Sequence, residues 1–125
     1  MIMKIKIISI KDSLICFRSK SGEGYAKWSG EIPLTGHTYD VEVDIDDEFV
    51  WGENIGATDD TSTIEVGNGY NMIAVAEVVS YDEDGCLAVR LDESVIFLEV
   101  EGAPINVSGY IKLYAKDLKL FPINL

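Results

Sequence analysis

Residues 38–46 read Thr-Tyr-Asp-Val-Glu-Val-Asp-Ile-Asp, and this stretch decides the fold class. Apolar Tyr39, Val41, Val43 and Ile45 alternate with acidic Asp40, Glu42, Asp44 and Asp46. Successive side chains of an extended strand point to opposite sides, so a period of two sorts the two sets onto two faces. A helical period would scatter the same residues around a cylinder. One apolar face and one charged face is the pattern of a half-buried strand in an antiparallel sheet.

Strand signals continue on both sides of this segment. Met3, Ile5 and Ile7 alternate with Lys4 and Lys6; Lys11-Asp12-Ser13 breaks the run, and Leu14 to Arg18 follows. Ser19 to Gly24 reads as a turn and Tyr25 to Trp28 as a short return strand. Phe49-Val50-Trp51 reads as a short partner strand, and Gly52 to Thr61 as a polar loop. Thr63 to Val66 and Tyr70 to Tyr81 flank Gly67-Asn68-Gly69, a hairpin signal. Asp82-Glu83-Asp84-Gly85 and Asp92-Glu93-Ser94 are further turns, which set strands at Cys86 to Leu91 and Val95 to Val100. Strands at Gly109 to Tyr114 and Leu118 to Phe121 complete the set. Met72 to Val79, rich in Val and Ala, fits a long bent strand as well as a helix.

About ten short strands predict an all-β chain, read as a single domain over residues 1–125. The expected architecture is a small antiparallel β-barrel, OB-like with additional strands, with a β-sandwich as the alternative. Gly102, Gly109 and the bend at Tyr81 to Gly85 are expected to supply bulges and corners.

At 125 residues and 47% hydrophobic content, the chain can build a core without a staple. No apolar stretch is long enough to span a membrane as a helix, and Lys4 and Lys6 interrupt the apolar N-terminus where a signal peptide would be continuous. These features set the expectation of a cytoplasmic protein away from membranes. Cys16 and Cys86 fit no zinc spacing and read as free thiols.

The formal charge is −12, and it is unevenly placed. Residues 1–27 carry six bases and two acids; residues 28–89 carry fifteen acids and no Lys or Arg; residues 90–125 carry four bases and five acids. Asp40, Glu42, Asp44 and Asp46, continued by Asp47 and Glu48, form a carboxylate ladder with no cation near it in sequence. Trp51 beside Glu48 and Glu53 adds an aromatic residue with an acidic rim. A solvated strand face explains the ladder without a function; single-sign clustering also steers basic partners. The leading expectation is therefore a non-enzymatic binding module. Its partner-binding residues are Asp40, Glu42, Asp44, Asp46, Asp47, Glu48, Trp51 and Glu53, and its partner is a basic protein, as for an immunity or inhibitor protein.

Two other classes stay open. An OB-like barrel binding single-stranded nucleic acid or oligosaccharide would use Tyr25, Lys27 and Trp28, with Arg18 and Lys20 nearby; the net charge argues against phosphate contacts. An assembly subunit would pair through the apolar edge of residues 95–100, where Ile96 and Phe97 face opposite ways. No catalytic motif is present, and the lone His37 cannot build a metal centre. Asp82 to Gly85 resembles part of an EF-hand loop, yet Leu91 stands where the closing Glu belongs, so a hairpin turn is expected and no metal or cofactor is assigned.

Overall fold

The alternating patterns resolve into twelve strands and no helix among the residues the computed structural model describes, 2–123. β1 (Met3–Lys11), β2 (Leu14–Ser19) and β3 (Gly22–Trp28) form an antiparallel meander. Met3, Ile5, Ile7, Ile15, Phe17 and Ala26 point inward and are buried; Lys4, Lys6, Arg18, Tyr25 and Lys27 point outward. β4 (Thr38–Ile45) pairs with β1 along one edge, with Met3 opposite Val41 and Ile5 opposite Tyr39. Along its other edge β4 pairs with the last strand, β12 (Leu118–Pro122), with Leu118 opposite Ile45 and Leu120 opposite Val43.

β12 also runs parallel to β3, setting Lys119 opposite Lys27 and Leu120 opposite Trp28. The circuit β1-β2-β3-β12-β4 therefore closes on itself as a five-stranded OB-like barrel, and the sandwich alternative falls away. The expected small OB-like barrel with additional strands is thus what the chain forms, and its closure includes one parallel contact. A ring with an odd number of strands cannot alternate direction throughout, so one contact must be parallel, and here it is β3–β12. Pro122 fits because it is the last residue of β12, paired with Val41 of β4, where a missing N–H removes no central ladder bond.

Residues between β4 and β12 build a second group: β5 (Phe49–Val50), β6 (Ile55–Thr58), β7 (Thr63–Gly67), β8 (Tyr70–Tyr81), β9 (Cys86–Leu91), β10 (Ser94–Glu101) and β11 (Tyr110–Ala115). β8 organises it. One edge of β8 pairs with β11 over Met72 to Glu77; the other pairs first with β7 and then with β9. Met72 to Ala76 are all buried, so both faces of β8 are covered. That double burial explains an apolar run without alternation, and it settles Met72 to Val79 as strand. β10 pairs antiparallel with β9 and parallel with β5, while β6 pairs with β11. A bridge between Trp51 and Ile55 brings the ends of β5 and β6 together. Asn68 and Gly69, both at positive φ, make the tight β7–β8 turn.

Two sequence expectations change. The polar loop at Gly52 to Thr61 contains β6, because Ile55 is buried and its neighbours pair with β11. Bulges fall at Ile7/Ser9, Glu65/Gly67 and Val78/Ser80, not at Gly102 or Gly109, which occupy positive-φ positions outside the strands. Buried residues from the barrel and from the second group belong to one hydrophobic cluster, which includes Phe17, Val41, Phe49, Met72, Leu98 and Leu120.

The junction between the two groups depends on Gly22. It pairs with Ile64 of β7 at φ +142, and a Cβ there would lie 1.8 Å from the Ile64 carbonyl oxygen. Gly56 has no atom within 4 Å of the corresponding point. Gly22→Ala should therefore destabilise the fold by more than about 2 kcal/mol, whereas Gly56→Ala should stay within about 0.5 kcal/mol of the parent, as read from urea midpoints.

Candidate functional site

The outer face of β4 carries Asp40, Glu42 and Asp44, and the chain beyond it carries Asp46, Asp47 and Glu48. Outward residues along a strand repeat about every 7 Å, so the first carboxylates form a spaced row. The neighbouring strands supply cations that the local sequence lacks. Lys4 on β1 lies opposite Asp40, with its Nζ 3.8 Å from the carboxylate. Lys119 on β12 lies opposite Asp44, and Phe121 opposite Glu42. The ladder has no cation near it in sequence, and the fold brings one to Asp40 and sets another opposite Asp44 from distant strands.

The acids do not share one role. Asp47 is a structural residue: Lys116 N–H and Asp117 N–H donate to its two carboxylate oxygens at 2.8 and 2.7 Å. It holds the turn between β11 and β12 and so positions the strand that closes the barrel. Asp46 N–H adds a bond to the Asp117 carbonyl at 3.0 Å. Glu42, Asp44, Asp46 and Glu48 remain exposed and form no ion pair within 4.0 Å with any described residue. Partial burial pushes the Asp44 carboxyl above its ordinary range; the charge of Asp46 and a hydrogen bond with it add to this, and Lys119 opposes it. A raised carboxyl pKa means that the folded chain holds the proton more tightly than the unfolded chain does.

Trp51 is half-buried and packs against the core, and its N–H donates to the Glu101 carbonyl at 2.9 Å. That bond is made by the backbone, and the side chain is only partly at the surface. Glu53 is exposed in the following turn, where its N–H bonds to the Val50 carbonyl at 2.9 Å.

The second set separates. Tyr25 and Lys27 point outward from β3, but Trp28 belongs to the other face. Its ring meets Tyr39 edge-on at 5.2 Å, and its Nε1–H donates to the Glu31 carbonyl at 2.8 Å. Trp28 is therefore part of the packing at the barrel end and does not join Tyr25 and Lys27. The residue that does join them is Lys119, brought beside Lys27 by the parallel pairing. Leu14 sits opposite both Lys11 and Lys27, and Arg18 opposite Lys6, so the outer face of β1, β2, β3 and β12 gathers Lys6, Lys11, Arg18, Lys27 and Lys119 around Tyr25. Two of these cations are matched: Arg18 Nη2 lies 2.8 Å from Glu23, and Lys27 Nζ 3.9 Å from Asp117. Sequence proximity could suggest Arg18 and Tyr25, but Lys119 becomes visible only once the barrel closes.

The hairpin reading of Asp82 to Gly85 holds. Asp82 Oδ1 accepts from the N–H groups of Asp84 and Cys86 at 3.0 and 3.1 Å, an Asx-type turn. Both thiols are free, with Cys16 buried on the outer side of β2. His37 is exposed in the loop before β4, where its carbonyl accepts from Ile7 N–H at 2.9 Å. No helix among the described residues is long and apolar enough to cross a membrane.

Searches against protein families, curated proteins and solved structures find no match to this chain.

The division of labour among the acids is measurable. Asp47→Ala should cost about 1–3 kcal/mol, because two turn N–H groups lose a charged acceptor. Asp44→Asn should be neutral or stabilising by up to about 0.5 kcal/mol at pH 7, since it removes like-charge repulsion with Asp46. The sign follows from the raised pKa: the Asp44 contribution is favourable below the unfolded carboxyl range and is lost as pH rises through the folded value. The gain from Asp44→Asn should therefore shrink on acidification, as read from thermal melts across pH 3–7.

Proposed function

We propose that this chain is a non-enzymatic protein-binding module that engages a basic protein through Glu42, Asp44, Asp46 and Glu48. The observation that supports the reading is the exposure of these four carboxylates, Glu42 and Asp44 on the outer face of β4 and Asp46 and Glu48 just beyond its end, with no ion pair to any described residue. Such a row attracts cations from a distance and penalises acidic partners on contact. Partial burial, and after it the neighbouring Asp46 charge, raises the Asp44 pKa, and a bound Lys or Arg would relieve the repulsive part. An immunity or inhibitor protein is the concrete form: it would offer carboxylates where a nuclease or another basic toxin takes phosphates.

A second reading rests on a different observation. The barrel is OB-like, and Tyr25 stands among five outward cations on β1, β2, β3 and β12. Stacking on Tyr25 with phosphate contacts to Lys27 and Lys119 is the arrangement that single-strand binders use. The −12 charge of the whole chain works against it through lost counterion release, so it ranks second.

Affinity capture from the native lysate at low salt should retain a basic protein that elutes as salt is raised. Asp44→Lys and Asp46→Lys should each weaken that association by about tenfold or more, mainly by slowing the on-rate. Association indifferent to salt and to both reversals would sink the reading. Salt-sensitive binding of single-stranded DNA that is lost in Lys27→Glu and Lys119→Glu would favour the second.

A further inference from the structure

β10 has one covered edge and one open edge. Val100 N–H donates to the Gly85 carbonyl at 2.9 Å, so the even residues of β10 bond towards β9. Trp51 N–H donates to the Glu101 carbonyl at 2.9 Å, so the odd residues bond away from β9. On that far side β5 pairs only with Val100 and Glu101. Ahead of them, no strand among the described residues pairs with the outward N–H and C=O groups of Val95 and Phe97. An edge of this kind is a template for another strand.

The surroundings specify what would pair there. Phe97 is 67% exposed, although Ile96 and Leu98 on either side are buried. Beside it runs a groove of about 840 Å³ that includes Glu48, Asp84, Glu99 and Glu101 in its wall and no Lys or Arg. Burial and the charges of Asp82 and Glu99 raise the Cys86 thiol pKa, a sign of negative potential along this wall. Glu48 belongs both to this groove and to the acidic series that continues from β4. A second copy of the chain fits poorly: antiparallel pairing centred on Phe97 would set Val95 opposite Glu99 and bring together two chains of charge −12. A strand with alternating apolar and basic residues satisfies all three features, by bonding the open edge, covering Phe97 and neutralising the carboxylates.

We propose that the β10 edge is a strand-addition site for an extended basic segment of the partner, seated on Phe97 between Glu48, Glu99 and Glu101. The proposal rests on the basic-partner reading and adds a docking mode to it, one that depends on main-chain bonds at Val95 and Phe97 and not on Asp44 or Asp46.

The test uses a short synthetic peptide of alternating Val and Lys, a copy N-methylated along one edge, and a Val/Glu copy, with amide exchange followed by NMR on the full chain. The Val/Lys peptide should slow exchange at the Val95 and Phe97 amides by about tenfold or more, and neither other peptide should. Phe97→Pro should abolish the effect, because it removes an outward donor and leaves the β9 ladder intact; if that variant unfolds, the N-methylated peptide still decides. Glu99→Lys with Glu101→Lys should remove the protection, whereas salt-sensitive capture in Asp44→Lys and Asp46→Lys reads the β4 face by itself, so either site can fail without the other. Absent protection, or equal protection by the N-methylated peptide, would overturn the proposal. So would protection of the same amides by raising the protein concentration alone, which would give the edge to a second copy.

Discussion

β12 sits between β3 and β4, and the barrel exists only because it does. Without it β1–β4 form an open sheet with Val43, Ile45, Lys27 and Trp28 at its unpaired margins. Leu118 and Leu120 are buried and complete the interior. Five strands in a ring must include one parallel contact, and a parallel contact needs a crossover rather than a hairpin. The chain meets that need by building the whole second group between β4 and β12. Asp47 then fixes the return, holding the β11–β12 turn from a position just past the end of β4.

That closure also arranges the charge. It carries Lys119 across to stand between Lys27 on β3 and Asp44 on β4, at the seam between a cationic face and an acidic one. β1 makes a matching seam on the other side, where Lys4 meets Asp40. The acids left without partners lie between and beyond these seams, and along the groove beside Phe97. The surface is polarised because the N-terminal meander holds six of the ten cations, while residues 28–89 hold none.

Local alternation made β4 legible: its inner and outer faces are those read from residues 38–46, and Asn68-Gly69 marks a true hairpin. The meander of β8, β9 and β10 was legible too, because Asp82 to Gly85 and Asp92-Glu93 punctuate it. Three features were not. β6 hides in a polar segment, because one buried Ile55 is too little signal for a strand. Trp28 looked like a companion of Tyr25 and Lys27, although a period of two places it on the other face. The neighbours of the acidic row, Lys4 and Lys119, come from strands far away in sequence, and register across such distances is decided by the closed barrel and not by any local pattern.

Hydrogen exchange at the amides of residues 118–121 tests the closure most directly. If β12 closes the barrel, these amides exchange only through global unfolding, with an opening free energy equal to that of β1 and β2 and to the value from denaturant unfolding. Exchange of β12 at a small fraction of that free energy, while β1, β2 and β4 stay protected, would contradict the account: it would describe an open sheet with a loosely laid final strand.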